Sequence, residues 1–301
     1  MHPLMRILVV AALAAIGLSA SAGAEPSSEP FAVDARQARE VALVARLVEA
    51  LNDGRPLVAL AQFEPASPTI GDCGNAVAGV RQVEQWIRRL IAERTQLTLH
   101  SIRGDAADAS AVVVDWRGAI DAAKVSFTTD GPLRIQALTC TPRAALPDPA
   151  RFAVDANQAR QIGVVVRFLD AYNAGRVREA LAQFRATDDR AQRPRVPFAG
   201  DCDYAHNTSD GAFGRRGIEA WLRKRVADHD RVALGSIRNE THDTRVVVVL
   251  LARRTSDTLR RLGFPNGVAP ALGAKVVFTP SARTRIDGWG GGGSHETCTP
   301  R

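Results

Sequence analysis

The sequence predicts an α+β fold built twice over, each copy laying its helices against one face of an antiparallel sheet. Three observations predict it. The same short segments return in the same order in the two halves of the chain. Within each half the apolar residues first recur with helical spacing, then with the tighter alternation of strands. The helical stretches also begin and end on residues that cap helices and turn the chain.

Phe31-Ala-Val-Asp-Ala35 recurs as Phe152-Ala-Val-Asp-Ala156, and Ala59-Leu-Ala-Gln-Phe63 as Ala180-Leu-Ala-Gln-Phe184. Gly71-Asp72-Cys73 returns as Gly200-Asp201-Cys202, Trp86 as Trp221, and Ser101-Ile-Arg103 as Ser236-Ile-Arg238. Thr139-Cys-Thr-Pro-Arg143 returns as Thr297-Cys-Thr-Pro-Arg301. A shared order over so many segments marks a tandem duplication. The chain is expected to divide into a leader (1–24), a flexible start (25–30), a first domain (31–143), a linker (144–151) and a second domain (152–301). The linker is short and carries prolines, so the domains are expected to lie close together as an intramolecular pseudo-dimer.

Asp34 with Gln37, and Asp155 with Gln158, have the spacing of a capping box. Val41, Val44, Ala45, Val48 and Leu51 then follow one face of a 3.6-residue period, as do Ile162, Val165, Val166, Leu169 and Tyr172. Asn52-Asp-Gly54 and Asn173-Ala-Gly175 stop these helices. A second short helix is expected to end at Phe63 or Phe184. A third spans about Val80 to Ala92, or Gly217 to Ala227, and carries Trp86 or Trp221. Valine-rich runs from Ala111 to Arg117 and Arg245 to Ala252 read as strands, followed by Lys124–Thr128 and Lys275–Thr279. Leu133, Ile135 and Ala137 alternate in a last strand.

The first 24 residues read as a signal peptide: one cation at Arg6, an apolar run from Ile7 to Leu18, and the small-x-small end Ala22-Gly-Ala24. Periplasmic or secreted location follows as an expectation, with no membrane contact after cleavage. All four cysteines, Cys73, Cys140, Cys202 and Cys298, fall in the exported part, where an even count favours disulfides over metal or redox chemistry. No cofactor is expected, and no histidine pair has metal spacing. The formal net charge is +7, and nearly all the basic residues are arginine. Such a bias fits codon composition better than a phosphate-reading surface, so no nucleic-acid partner is expected. The charge is also uneven: residues 25–151 sum to −2 and residues 152–301 to +8. That asymmetry permits an acidic ligand for the second half, or simply a solvated basic face.

Phe168-Leu-Asp-Ala-Tyr-Asn-Ala-Gly175, then Ala-Leu-Ala-Gln-Phe184 and Gly217-Ile-Glu-Ala-Trp-Leu222, resemble the nuclear transport factor 2-like superfamily, which includes SnoaL-like cyclases and ketosteroid isomerase. The resemblance covers nearly all of both copies. It implies two tandem cone-shaped domains, each a curved antiparallel sheet wrapped around a long N-terminal helix, with an apolar pocket at the wide end. Leu47, Leu51 and Trp86 would line the first pocket, and Phe168, Tyr172 and Trp221 the second. In such a fold the short strand after the second helix lies beside the last strand, which implies the pairs Cys73–Cys140 and Cys202–Cys298. Closing loops of this length contributes about 4 kcal/mol each in the chain-entropy picture.

The resemblance also allows a test for isomerase chemistry, which needs a carboxylate base and two acidic donors around a developing oxyanion. The tyrosine position holds Leu47 and Phe168, and the aspartic acid position falls near Ala123 and Ala274. The base position falls near Asp72 and Asp201. The oxyanion donors are therefore missing while a carboxylate remains. Asp72 and Asp201 are candidate general bases if they face an apolar pocket; as turn residues after glycine they would bond nearby backbone amides instead. His100, on a strand, is a third candidate and would pair with Asp72; its counterpart is Gly235.

The second copy carries insertions, the largest from Thr255 to Gly273 with Arg260, Arg261 and Phe264, and a glycine-rich stretch, Gly288 to Ser294, that reads as a loop. Long loops on a rigid scaffold often carry function, and a lid would set these residues beside the second pocket. Two readings of function lead, with a purely structural pseudo-dimer as a third. The first is a non-catalytic exported module that binds a small apolar molecule or a protein partner. The alternative is an enzyme acting on a small organic substrate through a pocket carboxylate, of isomerase, cyclase or dehydratase type.

Overall fold

The computed structural model describes residues 31–72, 75–117, 122–141, 150–186, 197–203, 208–240, 243–269, 272–280 and 283–292. The first half runs β1 (Ala32–Asp34), α1 (Ala35–Asn52), α2 (Pro56–Leu60), β2 (Thr69–Asp72), β3 (Asn75–Ala78), α3 (Val80–Ala92), β4 (Thr98–Gly104), β5 (Ala111–Arg117), β6 (Ala122–Phe127) and β7 (Ile135–Cys140). The second half repeats the series as β8 (Ala153–Asp155), α4 (Ala156–Asn173), α5 (Val177–Leu181), β9 (Phe198–Asp203), β10 (Thr208–Phe213), α6 (Gly214–Ala227), β11 (Arg231–Asn239) and β12 (Val246–Thr255). It then adds α7 (Asp257–Arg261) and β13 (Val268–Ala269) before β14 (Leu272–Phe278) and β15 (Ile286–Gly292).

The result is a mixed α+β fold, as the periodicity predicts. Both capping boxes form. Asp34 accepts from the Gln37 amide at 2.9 Å while Gln37 accepts from the Asp34 amide at 2.9 Å. Asp155 and Gln158 do the same at 2.8 Å each. The helices stop at Asn52 and Asn173, and Gly54 and Gly175 take φ of +67° and +69°, a conformation cheap only for glycine. The two asparagines do more than end a helix. Asn52 donates to the Leu97 carbonyl at 2.9 Å and accepts from its amide at 2.8 Å. Asn173 grips Val232 in the same two-point manner, at 2.8 and 2.9 Å. Each long helix is thus clamped to the start of the strand that follows the third helix.

Two sheets form. One has the order β3-β2-β7-β6-β5-β4-β8 and the other β10-β9-β15-β14-β12-β11-β1, with β13 on β12. Neighbours pair antiparallel except β2 with β7 and β9 with β15, which are parallel, so the expected antiparallel sheets each contain one parallel pair. The short second helices end at Leu60 and Leu181, before Phe63 and Phe184, which instead form isolated bridges to Ile135 and Ile286. The glycine-rich stretch expected to be a loop is a correction: Gly288 to Gly292 belong to β15, hydrogen-bonded to β14 on one side and β9 on the other. Pairing on both edges holds a sequence whose own β propensity is low.

The first strand of each half crosses over. β1 pairs with β11, in the register Val33 opposite Ile237, and β8 pairs with β4, Val154 opposite Ile102. Both ends carry a backbone hydrogen bond, which at the Phe31 end runs from the Asn239 amide to the Phe31 carbonyl at 3.3 Å, and each end is reinforced differently. Phe31 donates its amide to the Asn239 side chain at 2.9 Å. Its counterpart Phe152 accepts from the Gly104 amide at 2.9 Å, and a Cβ at Gly104 would stand 2.7 Å from the Phe152 ring. Glycine is therefore required there by the approach of the ring. Between the exchanged strands α1 packs on α4, where Ala45 meets Gly163. This double contact explains why α1 is buried on more than the one stripe of an ordinary surface helix.

Candidate functional site

The six residues assigned to pocket walls are all buried: Leu47, Leu51 and Trp86 in the first half, Phe168, Tyr172 and Trp221 in the second. The structure brings each set together and adds neighbours that the sequence pattern does not single out. In the second half the Phe168 ring lies 5.8 Å from Tyr172, 5.5 Å from Phe184 edge-on, and 4.7 Å from Trp289. Tyr172 is 6.1 Å from Trp221, whose ring carries the Arg225 guanidinium at 5.7 Å. Such tilted and edge-on pairs suit the aromatic quadrupole. The elements position them simply: Phe168 and Tyr172 are one turn apart on α4, Trp221 rises from α6, Phe184 follows α5, and Trp289 comes from β15.

The first half presents Leu47, Leu51, Phe63, Trp86 and Leu138 at the matching positions. Trp289 stands where Leu138 does, since both follow their bridged isoleucine, Ile286 or Ile135, by three residues. Trp289 is visible in the sequence, but it sits inside the glycine run, where composition points to a loop. Ala123 and Ala274 are buried and apolar, so the described residues at the oxyanion positions offer no hydrogen-bond donor.

One polar atom stands out in the aromatic set. The Trp221 indole Nε1 is buried without a hydrogen-bond partner. A buried indole N–H usually finds an acceptor, and leaving it unpaired costs about 1–3 kcal/mol. His100 has the same feature at Nε2; it sits half-buried at the irregularity in β4 between Leu99 and Ser101. Three strands, β7, β6 and β5, stand between β4 and β2, which carries Asp72. Asp72 ends β2 opposite Asn75, and Asp201 on β9 lies opposite Asp210 and beside Gly291. The side chains of both aspartates lie outside the described residues. Among the described residues no group of acidic, histidine or cysteine side chains could hold a metal ion. No helix among them is long and apolar enough to cross a membrane.

Cys140 ends β7 and is disulfide-bonded. The side chains of Cys73, Cys202 and Cys298 lie outside the described residues. In the second half the strand position of Cys140 is taken by Gly291, and Cys298 comes later in the chain.

The Thr255–Gly273 insertion folds on the end of α6. Thr258 donates to Asp228 through its amide at 2.9 Å and its hydroxyl at 2.8 Å, and Arg261 pairs with Asp228 at 3.2 Å. His229 meets Asp257 at 2.7 Å, and Arg260 pairs with Asp257 at 2.6 Å. Arg260 and Arg261 are exposed, and Asp228 lies about two turns beyond Trp221 on α6. Beneath the insertion Asp230 is fully buried and accepts from Arg254 Nε at 3.1 Å.

No family model matches the chain, and no curated protein matches it. Several solved structures are similar in part. A protein with the nuclear transport factor 2-like fold and unknown function from Cytophaga hutchinsonii shows 10% identity over 43% of this chain and 86% of its own, with a TM-score of 0.28. A SnoaL-like protein of unknown function from Burkholderia thailandensis shows 12% identity over 46% and 98%, with a TM-score of 0.30. The epoxide hydrolase/cyclase-like enzyme SalBIII, of pyran ring formation in the polyether salinomycin, shows 20% identity over 44% and 89%, with a TM-score of 0.31.

Proposed function

We propose that the protein is an exported, non-catalytic binding module made of two tandem cone-shaped domains, and that its second half binds a small, largely apolar molecule carrying one hydrogen-bond acceptor. The observation that carries this reading is the aromatic set around Phe168 with the unpaired Trp221 indole N–H inside it. Few polar groups among many apolar walls is the usual makeup of a small-molecule site. The matching strand orders of the two sheets support the tandem reading, and the leader with its small-x-small end supports export. The bonded state of Cys140 supports a Cys73–Cys140 bridge.

Native mass spectrometry of the mature protein purified from its producing cells tests the binding reading. One small-molecule adduct per chain is expected, released by organic solvent. An unliganded mass alone, together with no uptake of the neutral apolar probe Nile red, would overturn it.

The alternative, a general base at Asp201 or Asp72, is supported by their matching places on β9 and β2, each directly after a glycine. Under it, Asp201→Asn would abolish turnover of a substrate while leaving its binding intact.

A further inference from the structure

The third helices differ one turn after their tryptophans. Leu90 follows Trp86 by four residues on α3 and is buried, whereas Arg225 follows Trp221 by four residues on α6. The backbone runs alike in the two halves: Thr95 donates its amide to the Leu90 carbonyl at 3.1 Å, and Asp230 donates its amide to the Arg225 carbonyl at 3.0 Å. An arginine and an aspartate thus stand where the first half has leucine and threonine. The four-residue spacing sets the Arg225 side chain on the Trp221 face of the helix, and its guanidinium carbon lies 5.7 Å from the centre of the Trp221 ring.

The Asp230 side chain is fully buried, and Arg254 grips it: Arg254 Nε donates to both carboxylate oxygens at 3.1 Å, and its Nη2 bonds Oδ2 as well. Arg225 Nη1 approaches the same Oδ2 at 3.7 Å, a distance of charge attraction and not of hydrogen bonding. Both arginine side chains are 14% exposed. Asp230 therefore holds two guanidinium groups, and the three groups sum to one positive charge in a mostly buried place. Burying charge is costly, and the first half, with Leu90 and Thr95 at these positions, shows that the fold does not require it. The Trp221 ring that meets Arg225 also meets Tyr172 at 6.1 Å and so belongs to the aromatic set. Trp221 is 4% exposed, and its Nε1 is a buried donor without a partner. The partnerless donor and the buried cation thus share one ring.

We propose that the acceptor reaching the Trp221 indole is a carboxylate, so that the second half takes an apolar or aromatic monocarboxylate; this rests on the binding reading above. The indole N–H donates to the carboxylate, and Arg225, held at the ring by Asp230, supplies the opposite charge beside it. In a low-dielectric interior an N–H donor and a nearby cation both hold an ionised acceptor more strongly than a neutral carbonyl. The net charge of +8 over residues 152–301 draws the same class of ligand. The first half, with Leu90 in place of Arg225, has no such preference.

Isothermal titration of the mature full chain with naphthoate and with naphthamide, near neutral pH where a carboxylic acid is ionised, tests the proposal. The two probes share a ring system and differ in the charge of the acceptor. Naphthoate is expected to bind at one site per chain, about tenfold more tightly than naphthamide. Arg225→Leu should remove that preference, weakening naphthoate about tenfold while leaving naphthamide within about twofold. Arg225→Lys, which keeps the charge, should retain part of it. Circular dichroism and the melting midpoint confirm that the variants fold, and the wild-type comparison stands on its own if they do not. Naphthamide binding as tightly as naphthoate, binding of neither, or a preference that survives in folded Arg225→Leu would overturn the carboxylate assignment. Nile red uptake by the same preparation separates the two levels. If Nile red still binds, the site stands and its ligand class is wrong; if Nile red uptake fails too, the binding reading falls with it.

Discussion

The two halves share a strand order, a capping box, a helix-ending asparagine clamp and a tryptophan on the third helix, yet they fill their interiors differently. The first packs leucines at Leu47, Leu51 and Leu138; the second packs Phe168, Tyr172 and Trp289 at the same places. The first has four residues of sequence between β5 and β6, whereas the second extends β12 to Thr255 and inserts α7 and β13. Rings and a phenol group thus enter the second half where the first has leucines, while both halves bury an indole on the third helix. Under the binding reading proposed above, the aliphatic half is the packing scaffold and the aromatic half carries the ligand.

The two halves are also tied to each other, by strands that each lends to the other's sheet, and the ties are chemically unlike. These contrasts can be broken one at a time. The largest effect is expected at Cys140, whose disulfide is proposed to close the first half. Cys140→Ser should lower stability by about 2–5 kcal/mol, measured by chemical denaturation under non-reducing conditions. Peptide mapping that joined Cys140 to Cys202 or Cys298 would contradict the pairing proposed within the first half.

The exchanged strands come next. Gly104→Ala drives a methyl into the Phe152 ring and should cost about 1–3 kcal/mol by overpacking. At the reciprocal end, Asn239→Ala removes the side-chain acceptor of the Phe31 amide and should cost about 1 kcal/mol. Equal losses at the two ends, measured by the same denaturation, would contradict this ranking and show that ring packing and the side-chain hydrogen bond contribute alike.

A smaller, pH-dependent effect is expected at Glu40, the first half's counterpart of Gln161. Gln161 donates to the Thr244 carbonyl at 2.7 Å. Glu40 is fully buried, accepts from Arg36 Nε at 2.9 Å, and leaves Oε2 without a partner. Burial raises its pKa, opposed by the charges of Arg36 and Arg151 and reinforced slightly by Asp34. A raised folded-state value means that the protonated form is favoured on folding. Its stabilising contribution is therefore complete below the unfolded value of about 4.3 and is lost as pH rises through the folded one. Glu40→Gln should flatten that loss and raise the melting midpoint at neutral pH relative to acid. A wild-type stability that instead rises across this window, with the variant tracking it, would show that Glu40 folds as a charged partner of Arg36.

Much of this is legible in the sequence. Helix starts, stops and the longer strands follow directly from capping spacing and period, because those signals are local. The exchange of β1 and β8 is not: a three-residue strand has no pattern of its own, and its partner is chosen by the packing of α1 on α4. The hairpin strands β3 and β10 are hidden too: the first is four residues long and the second, Thr208–Phe213, is mostly polar. β15 is hidden because glycine suppresses the strand signal, and Trp289 is lost with it. The pairing of Arg167 on α4 with Glu49 on α1 is in principle readable, since Arg46-Leu-Val-Glu49 repeats as Arg167-Phe-Leu-Asp170, but only the fold shows that the two faces meet.

The most direct test of the unequal halves is a fluorescence titration with Nile red on two matched variants, Trp86→Phe and Trp221→Phe. Both substitutions keep a large ring and remove the indole N–H from the third helix of one half. Trp86→Phe is expected to leave affinity within about twofold of wild type, while Trp221→Phe weakens it about tenfold, the equivalent of ~1.4 kcal/mol. Equal weakening by both variants, or weakening by Trp86→Phe alone, would contradict the assignment of the ligand site to the second half.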